Sequence, residues 1–251
     1  MRTLTFLLAA AFTACAASAA CAQTPPPKNA AAESLEEFTA AMAAVAKGDR
    51  KAAAPRFEKA IFLMPQWSLP RLEYAINCIE LNCDPKTAIE HLKTAATLDS
   101  ENPRTQHYTG VALERQEDPA GAEAAYARSV TLKPSYKDPH FALGRLLRKS
   151  GKHLEARAHL QAVVDLDPKN TSARLMLAEL CEALGVLDDA EEQIQAVIDL
   201  HPENTYHQHR LAQFFERTGQ KDKAKAAFKA TEKAAPAKPQ KKLRPLQPSK
   251  K

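Results

Sequence analysis

Residues 151–168 read GKHLEARAHLQAVVDLDP, residues 185–202 read GVLDDAEEQIQAVIDLHP, and residues 219–236 read GQKDKAKAAFKATEKAAP. Each stretch opens on glycine, carries alanine at its sixth place, closes on proline, and begins 34 residues after the one before it. The same ruler reaches back, so that Pro134, Pro168, Pro202 and Pro236 keep one period, as do Ala122, Ala156, Ala190 and Ala224. A fixed period of this length, with a helix breaker closing each unit, marks a stacked array rather than one closed core.

Toward the N-terminus, Gly48, Ala53, Phe57, Ala60 and Pro65 fall in the matching places of a first unit. A second unit fits only if its turn holds one extra residue, and Ser100 stands there where proline is usual. Six units result: 34–67, 68–102, 103–136, 137–170, 171–204 and 205–238. On these residues the chain resembles the tetratricopeptide repeat family. The family's small residue in the first helix stands as Gly110, Gly144, Ala178 and Ala212, its large residue in the second helix as Phe57, Tyr126, Leu160, Ile194 and Phe228, and its stop as the prolines above. Trp67 lies at a unit junction, away from the family's tryptophan place. What the resemblance implies is an all-α, right-handed α-solenoid of antiparallel helix pairs spanning residues 34–236.

The spacing has a physical cause. Small residues let two antiparallel helices approach until the large ones interlock. Gly48, Gly151, Gly185 and Gly219 follow the first helix of their units, where a left-handed residue ends a helix at no steric cost. Units two and three place Asn82-Cys83-Asp84-Pro85 and Glu117-Asp118-Pro119 there instead. Asn102, Asp138, Asn170 and Asn204 supply starts for the next first helices. A lone unit buries too little apolar surface to offset roughly 1.5 kcal/mol of ordering entropy per residue, so the units must fold by stacking.

The ends read differently from the body. Residues 1–22 form an export signal: a basic start at Arg2, an apolar run from Thr3 to Phe12, then small residues. Ala20-Cys21-Ala22 before Gln23 suits ordinary cleavage, while the residues before Cys21 and before Cys15 resemble bacterial lipoprotein boxes without the preferred leucine. The product is accordingly expected in the periplasm or, lipidated at Cys21 or Cys15, at the outer membrane. Residues 23–33, with three prolines and three alanines, read as an extended leader. Residues 237–251 carry six basic residues, three prolines and no acid, and read as a disordered tail that solvates the array's end or touches an anionic membrane surface. Because the formal charge of +5 is concentrated there, no nucleic-acid-binding body is indicated.

No motif for nucleophilic, metal-assisted or phosphate chemistry occurs, and no cofactor is expected, which disfavours an enzyme. Cys78 and Cys181 take the same inward place in units two and five, while Cys83 lies in the enlarged turn. A Cys78–Cys83 bridge needs the helix to end before Cys83, since unbroken helix would set the two Cα atoms about 8.5 Å apart. His201, His207 and His209 are the closest histidine cluster but lack a completing ligand, so solvent-facing histidines are expected. A thiol- or metal-dependent envelope enzyme stays as the alternative from another class.

The family's concave surface is lined by its first helices. Its groove-facing places fall here on Phe38 and Met42 in unit one, Leu69, Leu72 and Ile76 in unit two, and His107 in unit three. Phe141, Arg145 and Arg148 follow in unit four, Glu179 and Glu182 in unit five, and His209, Gln213 and Glu216 in unit six. The resemblance thus implies a groove greasy at its N-terminal half, basic in the middle and acidic beyond, fitted to a peptide or helix of a protein partner. The basic and amide residues with which the family grips chaperone tails are replaced by Phe38 and Met42. A scaffold or adaptor for envelope complexes is expected, by family analogy a pilotin-like factor of the kind that helps outer-membrane secretins assemble.

Overall fold

The computed structural model describes residues 29–234. Among them lie twelve helices and no strand. They run as α1 (Ala30–Ala46), α2 (Arg50–Leu63), α3 (Ser68–Glu80), α4 (Pro85–Leu98), α5 (Pro103–Arg115) and α6 (Pro119–Leu132), then α7 (Lys137–Lys149), α8 (His153–Leu166), α9 (Thr171–Ala183), α10 (Leu187–Leu200), α11 (Thr205–Arg217) and α12 (Lys221–Ala234). Consecutive helices pair as antiparallel hairpins, and each second helix packs on the first helix of the next pair. The result is an all-α, right-handed α-solenoid whose first helices follow one another along one side.

Every first helix ends in the same way. The residue after its C-cap has positive φ: 75–81° at Gly48, Gly151, Gly185 and Gly219, 57° at Asn82 and 62° at Glu117. The next amide then donates back to a carbonyl five residues earlier, as from Lys152 to Leu147 at 2.9 Å and from Val186 to Cys181 at 2.8 Å. This is the Schellman closure, and asparagine is the side chain that best replaces glycine in it.

Caps set the starts. Asn102, Asn170 and Asn204 accept amide hydrogens of the helices they precede, and Asp49, Asp84 and Asp118 do the same for second helices. Asp138 differs from expectation. Helix α7 begins at Lys137, which puts Asp138 inside the first turn, where its charge faces the positive end of the helix dipole. The stops gain a partner as well: the carbonyls of Pro65, Pro134, Pro168 and Pro202 bond the side chains of Arg71, His140, Arg174 and Gln208, each six residues on. Orphan carbonyls at four of the five junctions are thereby satisfied.

Helix α1 corrects the leader boundary. It begins at Ala30, so residues 30–33 of the stretch read as extended spacer are helical. Ala30-Ala31-Ala32 is a strong helix former, and Ala30 is buried beside the Ser34 hydroxyl's bond to the Ala60 carbonyl (2.9 Å).

The interior comes in two stretches. One gathers residues from Ala41 to Ala112 around Phe57, Leu72 and Leu92, and the other gathers residues from Ala122 to Ala224 around Tyr126, Leu160 and Phe214. Val111 and Leu113 pack against both. The small-against-large rule holds at atomic distance. A Cβ added at Gly110 would lie 2.5 Å from the ring of Tyr126, and one at Gly144 would lie 2.6 Å from Leu160.

Candidate protein-binding cleft

A cleft of about 430 Å³ opens on the first-helix side where the two interior stretches meet. Helix α5 contributes His107, Val111 and Glu114, α6 contributes Tyr126, and α7 contributes Lys137, Asp138, Phe141, Ala142 and Arg145. Val163, Asn170 and Ser172 close its far side. Val111, Phe141, Ala142 and Val163 supply apolar wall, while Glu114, Lys137, Asp138 and Arg145 supply charge at the rim. Glu114 is held from two sides, since the Tyr126 hydroxyl donates to its Oε2 at 2.7 Å and Arg145 donates to the same oxygen at 2.6 Å. A surface of this kind suits an apolar side chain flanked by polar and charged groups.

Of the residues mapped from sequence, His107, Phe141 and Arg145 meet in this cleft. The others do not. Leu72 and Ile76 are 1% and 8% exposed and belong to the interior, with Phe38, Met42 and Leu69 packed half-buried against the same cluster. Phe38 packs at a tilt against the rings of Phe57 and Trp67, with ring centroids 6.0 and 5.0 Å apart. The greasy N-terminal groove is therefore filled by its own side chains: apolar residues on successive first helices close over one another instead of waiting for a ligand.

The charge gradient is corrected too. Arg148 pairs with Glu179 (2.6 Å), Glu179 also takes Arg210 (2.7 Å), and Glu182 takes Arg217 (2.8 Å). With Arg104–Glu73 and Arg145–Glu114, these pairs form a ladder that cancels basic against acidic from one first helix to the next. Each pair keeps at least one partner well open to solvent and contributes about 1 kcal/mol, so the ladder fixes register more than stability. Beyond it, His209 is exposed with its ring edge-on to Phe228, Gln213 is half-buried and Glu216 exposed. Val111 and Glu114 escaped the sequence mapping, yet they lie 34 residues before Arg145 and Arg148 and the same ruler reaches them.

Several histidines are interior rather than solvent-facing. His107, His140 and His207 are buried, and His140 Nδ1 lies 3.1 Å from His159 Nδ1. Burial holds His91, His107, His159 and His207 below the usual imidazole value. Unfolded imidazoles take up protons below about pH 6.5 while these resist, so the unfolded state binds more protons there and stability falls with acidification. Thermal melts at pH 7 and pH 5 are expected to show Tm lower by about 5 °C at pH 5, with a smaller drop in His107→Asn. A Tm unchanged over that window would contradict the buried neutral state.

Among the described residues no three or more His, Cys, Asp or Glu side chains gather as a metal site, and no helix is long and apolar enough to cross a membrane. Cys15, Cys21, residues 1–28 and the tail 237–251 lie outside the described residues.

Tetratricopeptide repeat family models match residues 147–209 and, in a second form of the repeat, residues 84–137 and 183–239. The chain belongs to the tetratricopeptide repeat family. None of the curated proteins matches it by sequence. Among solved structures, this tetratricopeptide array is similar to pilF of Pseudomonas aeruginosa, at TM-score 0.66 and 17% identity over 84% of this chain and 96% of that one. It is similar to YrrB, described as a TPR protein with an unusual peptide-binding site, at TM-score 0.63 and 22% identity over 72% and 93%. MamA of Desulfovibrio magneticus RS-1 matches at TM-score 0.58 and 22% identity over 66% and 94%. At such identities the likeness is one of fold. A tetratricopeptide array is a protein–protein interaction scaffold, and arrays of this family generally bind rather than catalyse.

Proposed function

We propose that the chain is an exported scaffold or adaptor of the bacterial envelope that holds an extended or helical segment of a protein partner in the cleft between α5 and α7. The carrying observation is the cleft itself. It is where the first helices offer a concavity with apolar wall and charged rim together, while the N-terminal trough is filled and the C-terminal ladder is self-paired. A peptide-binding site on a similar array, that of YrrB, supports the mode. The export signal read in residues 1–22 supports the location, and a pilotin-like role in assembling an outer-membrane complex is the sharper form.

Two measurements test this. Affinity capture from envelope fractions, repeated with Phe141→Ala/Arg145→Glu, is expected to lose partner at least tenfold while helicity and Tm stay near the wild type. Equal capture by both proteins would contradict the cleft. The mass of the mature N-terminus is expected to begin at Gln23 or at an acylated Cys21 or Cys15, and a chain retaining Met1 in the envelope fraction would contradict export.

A further inference from the structure

Cys78 and Cys83 stand at one particular pair of positions. Helix α3 ends at Glu80, Asn82 takes φ 57°, and the Cys83 amide donates to the Cys78 carbonyl at 3.0 Å while the Asn82 amide donates to Ile79 at 3.1 Å. The chain has therefore reversed before Cys83, and the separation of unbroken helix no longer applies. In a Schellman closure the two residues joined by the outer hydrogen bond stand where their side chains can meet. Six copies of this closure occur, and their side-chain pairs are Ala44/Asp49, Cys78/Cys83, Leu113/Asp118, Leu147/Lys152, Cys181/Val186 and Phe215/Gln220. Only the second unit places sulfur at both ends. The fifth is an internal control, with cysteine at the first position and valine at the second.

The structure assigns Cys78 and Cys83 as a dithiol site that closes to an intramolecular disulfide across the end of α3. Both thiols are free here, Cys78 buried at 4% exposure and Cys83 exposed. Burial, then the neighbouring Cys83, pushes the Cys78 thiol up to about 12. The order of reaction follows from access. Cys83, the exposed thiol, gives up its proton and attacks one sulfur of an oxidant's disulfide, releasing one thiol and leaving a mixed disulfide. Cys78 then gives up its proton and attacks the Cys83 sulfur, displacing the second thiol. Two cysteine thiols lose two electrons and two protons, and the oxidant's disulfide takes up both. The bond would pin a helix end where asparagine, not glycine, occupies the left-handed position. Neither the chemistry nor its test depends on the cleft.

The full chain is incubated with oxidised glutathione, then alkylated with iodoacetamide under denaturing conditions and cut with trypsin. Both cysteines fall within residues 72–86, between Arg71 and Lys86. That peptide is expected to be about 2 Da lighter and unlabelled, whereas the Cys181 peptide takes the label. Tm is expected to fall by roughly 5 °C on adding reductant to the wild type and to stay unchanged in Cys83→Ser. Cys83→Val, which rebuilds the Cys181/Val186 pair, should match reduced wild type. A doubly alkylated 72–86 peptide, glutathione retained on Cys83, or a bond to Cys181 or a second chain would each overturn the assignment. So would the same reductant sensitivity in Cys83→Ser.

Discussion

Leu72→Glu is expected to abolish the folding of the N-terminal half of the array. Leu72 is 1% exposed, inside the cluster that joins α1 through α5. Removing a buried leucine side chain costs about 2–5 kcal/mol, and a carboxylate left there without a partner adds a desolvation penalty of several more. The sum is comparable with the roughly 5–15 kcal/mol that holds a typical domain together. Far-ultraviolet circular dichroism should show lost helicity and no cooperative melt for the N-terminal hairpins. Because stacked units lend stability to their neighbours, the damage should spread past the second unit. Phe141→Glu, on the cleft wall, should by contrast keep wild-type helicity. A Leu72→Glu protein melting within about 2 °C of wild type would put that side chain on an open groove after all.

The second large effect concerns a single hydrogen. Gly110→Ala would ordinarily strengthen a helix by about 1 kcal/mol. Here the added methyl meets the Tyr126 ring at 2.5 Å, and Tyr126 is itself 1% exposed with its hydroxyl tied to Glu114. A buried, tethered ring has little room to yield, so the substitution should destabilise by about 3 kcal/mol in urea denaturation. In a Tyr126→Ala background the same change should be neutral or stabilising, because the side chain it strikes is gone. An equal cost in both backgrounds would show that the close approach of α5 and α6 is not what requires glycine.

These two residues also show how far the sequence could be read. Gly110 and Tyr126 were recognisable as the small and large partners because the period repeats them at Gly144 and Leu160, and the hairpin limits followed from proline and glycine. Leu72 was placed on the correct helix but assigned to a ligand. Periodicity says which positions face a neighbouring first helix, but whether such a position opens on water depends on the neighbour's size, and here Phe38, Met42 and Tyr108 pack against the cluster that holds Leu72. The ion-pair ladder was missed for a related reason. Its members lie 31 residues apart in Glu114–Arg145, Arg148–Glu179 and Glu179–Arg210, one repeat less about one helical turn, and so never face each other within a unit. That spacing was a usable signal. The burial of His207, expected to face solvent, and of His107 and His140 is not legible because a lone histidine carries no mark of burial. Their aromatic and carbonyl partners come from segments the repeat brings together, such as Tyr126 and Tyr136 around His107 and the Pro134 carbonyl on His140.

The central claim is that the partner enters at the α5–α7 cleft and not elsewhere on the solenoid. A photo-reactive amino acid placed at residue 141, and separately at residue 62, tests it most directly, since Phe62 is 81% exposed on α2 and outside the cleft. Irradiation in envelope fractions should give one cross-linked protein from position 141 and none from position 62. A cross-link from position 62 with none from position 141 would contradict it.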